Sequence, residues 1–190
     1  MRLDFPPRLR PLLVALHLAA LSFVLAPPLF FGAVVAPAVF HVLPTHDLAG
    51  ALQSPILTRL CILTEACFGI LFATGWLLAA GSGAQKTLRA LATRLPVLGF
   101  FAAIVIQQLL IPPIDRIRRE APGLIDNLPA ADPSRLLLDR YHRLSTGFFS
   151  LEIASALALL LVTSRLLSQP PAQPERPAAA KAAPKILDLT

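Results

Sequence analysis

The sequence predicts an all-α integral membrane protein, a four-helix bundle followed by a disordered C-terminal tail. Three observations carry this prediction. Hydrophobic residues make up 55% of the chain and charged residues only 15%, with a mean hydropathy of +0.67. A soluble domain has about a quarter charged residues, which it needs to cover a water-facing surface. The charges also bracket long apolar runs. None falls between Arg10 and Asp47, between Glu65 and Lys86 or between Arg94 and Asp115, and only Glu152 falls between Arg143 and Arg165. Finally, a bilayer core about 30 Å thick takes about 20 residues of helix, the local structure that leaves no backbone group unpaired in lipid.

Each element follows from these runs. Residues 1–10 form a basic N-terminal segment with Arg2, Arg8 and Arg10. The apolar stretch after it mimics a signal peptide, but Pro27-Pro28 stand where small residues would mark cleavage, so a retained anchor is expected. The transmembrane domain covers 11–167. Its first span, 11–43, is too long for one straight crossing and holds Pro27, Pro28 and Pro37, so a tilted, kinked helix is expected. Gly32 and Ala36 add a small-x-x-x-small packing signal. The second span, 56–80, starts at Ser54-Pro55 and ends at the turn Gly81-Ser82-Gly83. The third, 95–112, reaches Pro112-Pro113 and resumes in IPPIDRIRRE as a polar extension. The fourth, 144–167, follows the charged stretch SRLLLDRYHRL. Residues 168–190 are rich in Pro and Ala and too poor in large apolar residues to fold, hence a disordered tail.

The charge distribution narrows the partners. The net charge is +6, yet Lys and Arg sit at the ends of apolar runs rather than on one polar face. That placement suits a lipid bilayer and excludes nucleic acid, which needs a clustered basic footprint. Ten Lys and Arg lie in the N-terminal segment, the 81–94 loop and the tail, against seven on the other side. The bias places both termini in the cytoplasm, as expected in a bacterial inner (plasma) membrane. Cys61 and Cys67 share one apolar run, have no metal-type spacing and read as small buried side chains.

Ionisable groups at membrane depth are functional candidates by default. At 1.5 Å per residue from Leu60 and Leu144, Glu65 lies about 8 Å in and Glu152 about 12 Å in. Gln107 and Gln108 enter from the same side to about 9–10 Å. These four residues form a polar intramembrane layer drawn from three helices. His142, Ser145, Phe149 and Glu152 fall within an arc of roughly 80° on the fourth helix. His142, Glu152 and Glu65 are therefore candidate ligands of a divalent metal or members of a proton relay. The plainer reading has each Glu protonated, donating to Gln107, Gln108 or a backbone carbonyl and holding the bundle in register. His17, His41 and His46 lack the facing pairs at equal depth that haem would need. No nucleophile elbow, phosphate loop or zinc-protease motif is present, so neither an enzyme nor a cofactor is expected.

RYHRLSTGFF resembles the R-Y-H-x-L-S signature of the transmembrane protein 205-like family (domain of unknown function 4149), at Arg140, Tyr141, His142, Leu144 and Ser145. IPPIDRIRRE and FGAVVAPAVF resemble segments of the same family, and the likeness spans about residues 10–167. It implies a four-helix membrane protein and brings no reaction with it. Where the family tends to have Asn, this chain has Phe149. Two functions follow as expectations. One is a non-enzymatic protein acting by helix association or partner binding, as a homo-oligomer or with another membrane protein. The other is a small oligomeric transporter or carrier of protons, metal ions or a polar solute.

Overall fold

The computed structural model describes residues 8–81 and 84–168. Among them are four long apolar helices and no strand: α1 (Leu9–Val42), α2 (His46–Ala80), α3 (Lys86–Glu120) and α4 (Pro133–Leu167). The basic segment expected at residues 1–7, the expected turn at Ser82-Gly83 and the expected tail from 169 onward lie outside the described residues. Sequential helices pack as neighbours and α4 returns against α1, closing an up-down-up-down bundle.

The core sits where all four helices meet. Leu21 and Val24 of α1, Phe68 and Leu71 of α2, and Ala156 and Leu159 of α4 form its centre, with Leu95 and Phe100 of α3 packed against it. The outer faces keep Phe23, Phe72, Trp76, Phe101 and Leu161 exposed, as expected where lipid rather than water is the solvent. Helices α2 and α3 approach closely because two glycines let them. A Cβ on Gly75 would lie 2.8 Å from the Ala92 carbonyl oxygen, and one on Gly99 would fall on the Phe68 ring.

Proline is accommodated without breaking the helices. Pro27 and Pro28 sit inside continuous helix. The irregularities are two π-helical turns, Phe31–Val35 and Val105–Leu110, each followed within two residues by proline. Pro37 and Pro112-Pro113 have no N–H to return to the carbonyl four residues back. The chain instead closes five-residue steps, from the Ala36 N–H to the Phe31 carbonyl and from the Ile111 N–H to the Ile106 carbonyl. Each wider turn rotates everything beyond it. The helix then continues, so IPPIDRIRRE does extend α3 as a polar helix to Glu120.

Two starts lie earlier than the span boundaries. Helix α2 begins at His46 rather than at Ser54-Pro55, because Thr45 caps it by accepting from the Leu48 N–H at 3.2 Å, and Pro55 is carried inside. Helix α4 begins at Pro133, capped by Asp132 through the Ser134 N–H at 2.8 Å, and absorbs the charged stretch. The α3–α4 connection is clasped to the start of α2. Asp126 accepts from the His46 N–H at 2.6 Å and lies 3.2 Å from the His46 ring, while Asp47 accepts from the Ile125 N–H.

Candidate functional site

Helix α2 places Cys61, Thr64 and Glu65 within about one turn of each other, and α4 brings Glu152 toward them. Glu152 is only 1% exposed, and Cys61 and Thr64 are fully buried. The two carboxyls and the Cys61 thiol are near enough to interact electrostatically, and Thr64 lies beside Glu152. The Thr64 hydroxyl is nevertheless committed to its own helix, donating to the Cys61 carbonyl at 3.1 Å. Ser155 likewise donates to the backbone carbonyl of Glu152, at 2.8 Å, and leaves the carboxyl alone. Both carboxyl oxygens of Glu152 and Oε1 of Glu65 are therefore buried without a hydrogen-bond partner. More than nine in ten buried polar groups in folded proteins have one, so such an orphan calls for an explanation.

Of the four-residue layer, the structure brings together Glu65 and Glu152. Gln108 is exposed on the outer face of α3 and Gln107 is half-buried. Their one side-chain bond is to each other, from Gln108 Nε2 to Gln107 Oε1 at 3.3 Å. Depth along the helix was not the deciding coordinate. Both glutamines lie in the second π turn, which resets the direction in which side chains leave the helix. Neither carboxyl donates to a glutamine, so the layer does not lock the bundle in that way.

The candidate metal set is not assembled. His142 is exposed at the outer part of α4, ten residues and about 15 Å along the axis from Glu152. Among the described residues no group of three His, Cys, Asp or Glu is placed to hold a metal ion. Within the R-Y-H-x-L-S run, Arg140, His142 and Leu144 are exposed and Tyr141 is half-buried. Ser145 alone turns inward, donating to the His142 carbonyl at 2.8 Å. Phe149 fills its position with an aromatic contact, edge-on to Phe31 at 6.2 Å, and packs on the cluster of Cys61, Ile106 and Ile111.

A second buried polar layer lies nearer the other end of the bundle. His17 of α1 is 1% exposed and bridges two helices. Its Nδ1 is 2.7 Å from the Thr74 hydroxyl of α2 and its Nε2 is 2.9 Å from the Thr163 hydroxyl of α4. Thr74 donates to the Ile70 carbonyl at 2.7 Å, so it accepts from His17. We assign the Nδ1–H tautomer, with Nε2 accepting from Thr163; every side-chain polar atom of the trio then has a partner. A search limited to paired histidines overlooks this layer. Its sequence signal is a histidine in an apolar span with threonines at matching depth on two other helices.

The two layers are nine residues apart on α2 and eleven on α4, or about 14–17 Å, with the apolar core between them. Chemically they differ. The His17 layer is a closed set of hydrogen bonds. The Glu65–Glu152 pair has buried oxygens that can accept a proton or donate one. Comparison with family models, curated proteins and solved structures finds no match.

Proposed function

We propose that this multi-pass membrane protein is a small, non-enzymatic proton carrier whose working groups are Glu152 and Glu65. The single observation behind the reading is that the Glu152 carboxyl is buried near Glu65 with neither oxygen hydrogen-bonded. Two carboxyls near each other in an apolar interior need a proton between them or a cation beside them. The absence of a third ligand among the described residues favours the proton over a metal ion. Four helices are few for a path, so the carrier works as an oligomer. The Lys and Arg bias supports both termini facing the cytoplasm, in an inner membrane. The R-Y-H-x-L-S run supports a place in the transmembrane protein 205-like family.

The test is proton flux in liposomes holding the purified full chain and an internal pH dye, under a potassium diffusion potential. Wild type should dissipate the pH gradient, while Glu152→Gln should lose most of that activity and Glu65→Gln part of it. Equal flux in all three proteins would sink the reading.

Helix association is a second reading with its own observation. The Gln108 amide sits on an outward face of α3 within its apolar run, bonded to the half-buried Gln107. An amide in lipid gains from a partner across a helix interface. Cysteine at position 108, oxidised in native membranes, should cross-link two copies of the chain; monomer alone would remove this reading.

A further inference from the structure

We propose that the groove between the first turns of α2 and the last turns of α3 binds a phosphate-bearing anion, held by Arg59 and Arg119. The groove has a volume of about 520 Å³ and is lined by Ser54, Thr58, Arg59, Asp115, Arg118 and Arg119. Its one carboxylate is already matched. Asp115 accepts from the Ser54 hydroxyl at 2.8 Å and lies 3.8 Å from Arg118 Nη1. Arg118 also lies close enough to Asp47 to interact with it. The Arg118 guanidinium is seated over Gly50, where any Cβ would fall on it. Its Nε is buried and has no acceptor.

Arg59 and Arg119 are exposed and make no ion pair among the described residues. The groove therefore offers two uncompensated guanidiniums and one idle buried donor. Guanidinium presents paired N–H groups that match phosphate oxygens two at a time. The location suggests the source. Arg59 immediately precedes the apolar run that opens at Leu60, which puts the groove at headgroup level. Ile62 and Leu63, one turn past Arg59 toward the bilayer interior, are exposed. They offer a surface for an acyl chain below a bound headgroup, which free phosphate would leave unused.

The experiment is native mass spectrometry of the full chain released from micelles containing equal amounts of phosphatidylglycerol and phosphatidylcholine. A parallel arm contains inorganic phosphate and no lipid. Wild type should retain the anionic lipid with a preference of about tenfold or more, the scale set by charge-assisted hydrogen bonds. The double variant Arg59→Gln, Arg119→Gln should lose that preference. The double variant Arg140→Gln, Arg143→Gln, which removes the same charge elsewhere on this end, should keep it. If the first double variant does not fold, Arg119→Gln alone, at an exposed position, should still show a partial loss. A phosphate adduct in the lipid-free arm that Arg59→Gln, Arg119→Gln abolishes, without lipid preference, would assign the same site to the free anion. No preference and no adduct, or equal losses in both double variants, would overturn the site.

Discussion

The bundle holds two buried polar layers built from similar resources, and they are treated in opposite ways. At one end, His17, Thr74 and Thr163 come from three helices and leave no side-chain polar atom unpaired. At the other, Glu65 and Glu152 come from two helices, with hydroxyls at Thr64 and Ser155 close by, and those hydroxyls donate to backbone instead. The first arrangement costs little to bury and gives α1 a fixed place between α2 and α4. The second has a desolvation cost that the neighbouring Thr64 hydroxyl offsets only in part. A polar group that only served stability would more readily be apolar, so the contrast separates a lock from the pair proposed to carry protons.

Substitutions can break this contrast in order of size. His17→Ala removes both bridges and opens a hole in the bundle, and should lower stability in detergent by about 3 kcal/mol in a denaturant or thermal titration. Gly75→Ala presses a methyl toward the Ala92 carbonyl beside the same histidine. Backbone cannot give way like a side-chain tip, and a loss of about 2 kcal/mol is expected. Glu152→Met should have the opposite sign, raising stability by about 1–2 kcal/mol because an unpaired carboxyl is replaced by an apolar chain of similar length, while proton flux falls. A loss of stability there comparable to that of His17→Ala would erase the distinction between the layers. Thr163→Val, which deletes one hydroxyl donor and keeps the shape, should cost about 1 kcal/mol.

The spans were legible because charge is so costly in lipid that Arg10, Asp47, Glu65, Lys86, Arg94, Asp115, Arg143 and Arg165 mark the apolar runs. The earlier start of α2 was encoded too, in Thr45 and Asp47 at a cap, though Pro55 drew the boundary inward. Depth was legible for Glu65 and Glu152 because it depends only on counting residues. Azimuth was not. A count with 3.6 residues per turn passes through Val105–Leu110 as if it were ordinary helix, and the π turn there decides where Gln107 and Gln108 point. The His17 layer needed knowledge of which helices are neighbours, which no single span contains.

The clasp made by Asp47 and Asp126 has a consequence for how the bundle is assembled. It joins the α1–α2 corner to the α3–α4 connection, two stretches that the chain itself links only through the full length of α2 and α3. Each helical hairpin thus carries half of a fastener: the first supplies the His46 N–H and the Asp47 carboxylate, the second the Ile125 N–H and the Asp126 carboxylate. At that end the two hairpins hold complementary groups for one another, in addition to their packing along α2 and α3. A chain cut between α2 and α3 would retain the means to find its other half within the membrane.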